Sequence, residues 1–263
     1  MSVPAVDLSK YPYFDAPTPL AIAHRGGATI AANVGIENSA AAFGHAVDLG
    51  YRYLETDVHA SRDGVVFAFH DETLDRVTTQ SGAIGDLDAE DVRRARIGGR
   101  EPVPELAGLL GEFPDTRFNI DLKSDSSVVP TVDVLASAGA LDRVCLASFS
   151  RARLRLARSI APGVATSYSP SEVARLKLAP RWAQGRPPGV CVQVPRRNRG
   201  LTVVNSRFVE RAHAQGLQVH VWTVDDPAEI SELLDLGVDG IVSDRIDILR
   251  DILIARGEWE GTT

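Results

Sequence analysis

The sequence predicts an α/β fold, a (β/α)8 TIM barrel carrying a β-hairpin excursion and a small insertion after its second strand. Three observations predict it. Eight short apolar, β-rich runs recur along the chain, stretches with helical signals separate most of them, and polar residues gather at or just past the ends of the early runs, where barrels keep their functional groups. A length of 263 residues, with 44% hydrophobic and 24% charged residues, suits one large globular domain. An open doubly wound sheet would ordinarily use fewer strands and a glycine fingerprint that this chain lacks.

Residues 1–19 contain Pro4, Pro12, Pro17 and Pro19, which exclude a helix interior and predict an extended lead-in packed on the outside. The barrel is expected over 20–256, with a tail over 257–263. Its strands are predicted at about 20–24, 52–58, 117–122, 143–148, 163–167, 189–194, 217–223 and 239–243. Ser169-Pro170-Ser171-Glu172 and Asp226-Pro227-Ala228-Glu229 each supply a cap, a proline at the first helical position and a glutamate two positions further on. Gly50, Gly216 and Gly237 follow apolar-periodic stretches, as glycines that end helices do.

The run 64–70, GVVFAFH, falls outside the eight-strand count. Asp63-Gly64 between two β-rich runs is a hairpin signal, so 64–70 reads as an antiparallel return. A two-residue turn there pairs Arg62 with Val65 and sets Asp57 opposite His70. The insertion at about 71–103 is expected to be a solvated loop with a short helix, placed to form a rim or lid over the barrel mouth.

A formal net charge of −7 argues against broad contact with nucleic acid or an anionic membrane, since both need a basic face. The first residues show no basic segment followed by an apolar one, and no apolar run is long enough to span a bilayer. Cys145 and Cys191 lack metal spacing and read as reduced core residues. The expectation is a cytoplasmic protein acting on a small molecule, without stable membrane insertion. No helix offers an obvious outer face for a partner subunit.

The chemistry concentrates in His24-Arg25-Gly26, Glu55, Asp57 and His70-Asp71. Glu55 and Asp57 are two apart on a strand and so share a face. Neither stays ionised cheaply inside a barrel without a cation, and two oxygen donors suit a hard ion such as Mg²⁺ or Ca²⁺. Asp121 and Lys123 repeat that spacing on the next strand, adding a third carboxylate and a positive charge for a phosphoryl oxygen. An ion-paired polar layer without ligand is the other reading of that pair. Two histidines, acids and an arginine at strand ends suggest a metal-assisted site for a phosphate ester. His45 and His213 fall in helical stretches, His59 is expected to turn away from Asp57, and His220 to fill a barrel layer.

The ordered set His24-Arg25-Gly26, Glu37-Asn38-Ser39, Glu55-Thr56-Asp57-Val58, Asp63-Gly64, His70-Asp71 and Thr73-Leu74-Asp75-Arg76 resembles the glycerophosphodiester phosphodiesterase family. Asn119 to Lys123, Ser148-Phe149, Val221 to Val224 and Gly237 to Arg245 agree with it. The resemblance implies a metal-dependent barrel hydrolase that cleaves glycerophosphodiesters to glycerol 3-phosphate and an alcohol. It also implies that Glu55, Asp57 and Asp121 hold one divalent ion, that His24 and His70 form the acid-base pair, and that Arg25 and Lys123 bind phosphate. Trp222 would pack against the glycerol end of the substrate, with plain core packing as its alternative. Two departures stand out: Asp121 replaces the family's usual glutamate, and the loop from His24 to Glu37 is longer than usual and lacks the proline before Glu37. The shorter acid keeps open a related phospholipase-D-like or cyclising lyase on the same barrel.

Overall fold

The computed structural model describes residues 5–180, 185 and 187–261. Eight parallel strands form the barrel: Leu20–His24, Tyr53–Ala60, Arg117–Leu122, Val144–Ala147, Ala165–Thr166, Cys191–Pro195, Gln218–Trp222 and Gly240–Ser243. They are called the first to eighth strands below. Each of the eight predicted runs overlaps one of them, the second and sixth strands running on past the expected ends to Ala60 and Pro195. The first strand pairs with both the second and the eighth, so the sheet curls back on itself. Between the fifth and sixth strands the closure narrows to a bridge from Ser167 to Cys191, backed by the Tyr168 N–H donating to the Cys191 carbonyl at 2.9 Å.

Helices cover the outside because the sequence stops and starts them where expected. Ser169 and Glu172 form a reciprocal capping box on the helix Pro170–Leu178. Asp226 accepts the Glu229 N–H at the start of Pro227–Asp235. An apolar layer between helices and strands forms the main core, including Phe43, Leu54, Phe118, Leu146, Val192, Ile241 and Leu249.

Four expectations are corrected. The lead-in does not lie outside the barrel. Residues Pro12–Phe14 form a short 3-10 turn, and Tyr13 and Phe14 are buried with Leu20, Ile22, Tyr53, Cys145, Cys191 and Val242 in the lower barrel interior. Proline sets the turn, but the two aromatic rings decide its place, because each carries a large apolar area that the barrel floor takes out of water. The Tyr53 hydroxyl donates to the Tyr13 carbonyl at 2.7 Å and fixes this plug.

The hairpin register is shifted by one residue. The return strand is Val66–Ala68, with Ala60 opposite Val66 and Val58 opposite Ala68. Ser61 and Val65 flank a three-residue turn that ends in Gly64 at φ +89°, a left-handed position that glycine takes without strain. Phe69 rather than His70 therefore pairs with Asp57, its N–H donating to the Asp57 carbonyl at 2.8 Å. Burial of Phe67 and Phe69 drives that choice. With Leu74, Ile84, Val92, Ile97 and Val103 they make a separate small core, so the 71–103 insertion is a packed unit rather than a solvated loop. It holds a helix, Ala89–Arg94, and a two-stranded sheet, Arg96–Ile97 with Glu101–Pro102.

His59 does not turn away from Asp57. Residues two apart on a strand share a face, and the His59 Nε2–H donates to the His70 carbonyl at 3.2 Å. His59 thereby fixes the backbone at the point where the chain leaves the return strand. His220 fills a barrel layer as expected, fully buried.

Candidate active site

The first strand ends in a sharp turn in which Arg25, Gly26 and Gly27 all have positive φ, at 51°, 85° and 86°. A Cβ on Gly26 would lie 2.7 Å from the Ala42 carbonyl carbon, so the turn packs directly on the following helix only with glycine there. This turn brings Arg25 back over the second strand. Its N–H donates to the Glu55 carbonyl at 3.0 Å, and its Nη1 donates to Glu37 Oε1 at 3.0 Å. The Arg25 Nε stands 3.2 Å from Asp57 Oδ2. The longer loop that follows is held by buried Asn33, whose Nδ2 donates to the Gly26 carbonyl at 2.8 Å.

Register places the acids. His24 pairs with Glu55, and Asp57 pairs with Asp121, so the first three strands present them side by side at the C-terminal mouth. The His24 Nδ1–H donates to Asp244 Oδ1 at 2.8 Å, and its Nε2 is 3.8 Å from Glu55 Oε2. Burial alone would lower the His24 pKa, but Glu55 and Asp244 together raise it. Burial, reinforced by the neighbouring Asp57 charge, pushes Glu55 up to about 7. Asp57 is also penalised by burial, yet Lys123, Arg25 and His70 outweigh that and keep its pKa low.

Lys123 Nζ bridges Asp57 Oδ1 at 2.8 Å and Asp121 Oδ2 at 2.7 Å. Asp121 Oδ1 is buried without a hydrogen-bond partner among the described residues, and burial raises this carboxyl. Just past the return strand the His70 Nδ1–H donates to Asp71 Oδ1 at 2.6 Å. Asp71 is held down to about 2, chiefly by Arg76, which also donates to Glu37 Oε1 at 2.7 Å. The pair Arg76 and Glu37 therefore links the insertion to the Arg25 turn. Across the mouth, Trp222 meets the largely exposed Phe149 ring edge-on, with centroids 5.7 Å apart.

The structure thus brings His24, Arg25, Glu55, Asp57, His70, Asp121 and Lys123 into one cluster, with Trp222 on the far wall. Sequence reasoning missed Asp244, Asp71, Glu37 and Arg76 as partners, and also Asn38, whose Nδ2 donates to Asp57 Oδ2 at 3.3 Å. All five lay inside the recognised segments, but no spacing rule connects Asp244 to a histidine 220 positions earlier. Among the described residues no three His, Cys, Asp or Glu side chains already close on a common point as a metal cage would. Lys123 occupies the gap between two of the acids. The donor set nonetheless fits a hard cation: three buried carboxylates, one with an unpartnered oxygen and one resisting ionisation.

Glu55→Gln is expected to stabilise the ion-free protein at pH 8 by about 1–3 kcal/mol while removing activity. A carboxyl raised from its unfolded value to about 7 contributes stability below the unfolded pKa and loses it as pH rises through 7. Urea denaturation at pH 5 and pH 8 checks this: the advantage of the variant should appear only at the higher pH.

A parallel barrel whose C-terminal mouth gathers two histidines, three acids, an arginine and a lysine has the architecture of a barrel enzyme. The chain belongs to the Glycerophosphoryl diester phosphodiesterase family, which it matches over residues 24–248. It is 44% identical over 255 residues to a Mycobacterium tuberculosis protein named "Probable glycerophosphodiester phosphodiesterase 2", covering 92% of this chain and 93% of that one. It is 26% identical to human lysophospholipase D over 275 residues, covering 88% and 85% of the two chains. The fold matches an Oleispira antarctica phosphodiesterase solved with the product sn-glycerol-3-phosphate, with a TM-score of 0.76, 22% identity and coverage of 90% and 97%. No helix among the described residues is long and apolar enough to cross a membrane.

Proposed function

We propose that this enzyme hydrolyses glycerophosphodiesters to sn-glycerol 3-phosphate and an alcohol in a metal-dependent reaction, with His24 and His70 exchanging protons. The observation that carries this reading is the pair of histidines, each tied at Nδ1 to an aspartate, flanking three buried carboxylates and two cations. Glu55, Asp57 and Asp121 would hold one divalent ion, Mg²⁺ or Ca²⁺, which supplies charge neutralisation at a phosphoryl oxygen and a lowered pKa for a hydroxyl.

The chain's own groups account for the rest. Arg25 and Lys123 bind the phosphoryl oxygens. Asp244 and Asp71 hold the imidazoles by Nδ1, which turns each Nε2 toward the substrate. One Nε2 takes the proton of the glycerol 2-hydroxyl as it attacks phosphorus, and the other gives a proton to the departing alcohol. The cyclic phosphate so formed is opened by water, with the two histidines in reversed roles. Trp222 and Phe149 wall the side of the mouth away from the acids and keep bulk water from it.

The test is release of sn-glycerol 3-phosphate from glycerophosphocholine or glycerophosphoethanolamine, abolished by EDTA and restored by Mg²⁺, Ca²⁺ or Mn²⁺ assayed in parallel. Absence of turnover with all three ions would overturn the reading. Phosphorus NMR of the same reaction separates hydrolysis from a cyclising lyase, since a lyase would leave the cyclic phosphate as its end product.

A further inference from the structure

One set of buried polar groups in the barrel is used neither by the proton transfers nor by the ion. His220 lies fully buried on the seventh strand, and burial pushes its pKa down to about 3, so the ring is neutral. Its Nε2–H donates to Gln218 Oε1 at 2.9 Å, which leaves Nδ1 as an acceptor. Gln193, its register partner on the sixth strand, donates from Nε2 toward that Nδ1 at 3.4 Å and to Asn119 Oδ1 at 2.8 Å. Both amide hydrogens of Gln193 are thereby engaged, and the orientation of the amide is set by the tautomer of His220.

The carbonyl oxygen of that amide has no partner among the described residues, and the Gln193 side chain is partly exposed. Its exposure is to the mouth, because Phe14 closes the barrel beneath it with its ring 6.1 Å from that of His220. Trp222 follows His220 by two positions and so stands above it on the same face. Asn119 pairs with Glu55, which places the far end of the chain of hydrogen bonds at the level of the acidic cluster. Gln193 thus forms part of the floor between the aromatic wall and the acids.

We propose that Gln193 is a specificity-determining residue whose Oε1 accepts a hydrogen bond from a hydroxyl of the polyol part of the substrate. The inference rests on the proposed glycerophosphodiester reading and adds the group that distinguishes a glyceryl ester from other phosphodiesters. The amide is preorganised: two neutral groups, His220 and Asn119, hold it before substrate arrives, so little ordering accompanies binding. A neutral acceptor also discriminates without adding charge beside Glu55.

The experiment compares the wild-type holoenzyme with Gln193→Leu and Gln193→Glu on glycerophosphocholine and on 2-hydroxypropyl 4-nitrophenyl phosphate, which keeps the 2-hydroxyl that attacks phosphorus and lacks the other hydroxyl of the glyceryl group. Gln193→Leu is expected to lower kcat/KM on glycerophosphocholine about tenfold, mainly through KM, and to leave the nitrophenyl ester within about twofold. Gln193→Glu, which keeps an acceptor, should recover part of the loss. Equal losses on both substrates would reduce Gln193 to a structural role and overturn the proposal. Calorimetric binding of sn-glycerol 3-phosphate and of inorganic phosphate provides a second readout. The wild type should prefer the glyceryl ester, and Gln193→Leu should erase that preference; an unchanged preference, or none in the wild type, would refute the inference. If glycerophosphocholine is not turned over while the binding preference holds, it is the hydrolytic reading that fails.

Discussion

His24→Ala and His70→Ala are each expected to lower kcat by about 10²- to 10⁴-fold on any glycerophosphodiester the enzyme accepts. Each imidazole is tied to a carboxylate at one nitrogen, His24 to Asp244 at 2.8 Å and His70 to Asp71 at 2.6 Å. Neither ring supports the apolar core, so circular dichroism and the thermal midpoint should stay close to wild type. The two losses should differ on a substrate with a good leaving group. A nitrophenyl ester departs without a proton, so the variant lacking the general acid should retain more activity on it than the variant lacking the base. That comparison assigns the two roles. Near-normal rates for either variant on glycerophosphocholine would refute its part in proton transfer.

Lys123→Met should have the largest effect on stability, about 3–5 kcal/mol of destabilisation in the absence of divalent ion. The ammonium lies within 2.8 Å of one acid and 2.7 Å of the other, and removing it strands two buried carboxylates. The sign of the pH dependence follows from Asp57. Its folded pKa is depressed, so it contributes stability above the unfolded carboxyl pKa and loses it as pH falls through the folded value. In Lys123→Met this acid-side dependence should shrink or reverse, because the partner that holds the pKa down is gone. Mg²⁺ or Ca²⁺ should raise the thermal midpoint more in the variant than in the wild type. A midpoint in the variant that ignores both ions would argue against the carboxylates as their ligands.

Much of the barrel was legible because each strand announces itself by an apolar, β-rich run with turn residues on either side. The cluster was legible for a related reason: acids two apart on a buried strand have few structural explanations. What failed depended on tertiary packing. The Asp-Gly signal at residues 63 and 64 named the turn but not its length, and burial of Phe67 and Phe69 in a separate small core decided the register. His70 reaches the Asp57 environment from two residues beyond the return strand rather than from within it. Over residues 5–19 the lead-in holds no α-helix, as its prolines required, but it turns twice in 3-10 form at Leu8–Lys10 and Pro12–Phe14, and nothing local told whether Tyr13 and Phe14 would face solvent or the barrel floor. Asp244, Arg76 and Glu37 were visible as residues but not as partners, since contacts over long separations carry no periodicity. The Asp121 carboxylate ends with one oxygen on Lys123 and the other without a partner among the described residues.

The aromatic plug also has a kinetic meaning. Tyr13 and Phe14 complete a floor whose other walls include Cys191 and Val242, so early residues of the chain are seated against late ones. No partial chain that lacks the last strand can finish that floor, and contacts of such wide separation form slowly. The order of assembly should therefore be read in hydrogen exchange during refolding. Amides of the second and third strands, joined from Tyr53 and Arg117 to Val58 and Leu122, should gain protection early. The backbone at Tyr13 and Phe14 should gain it last, together with the eighth strand.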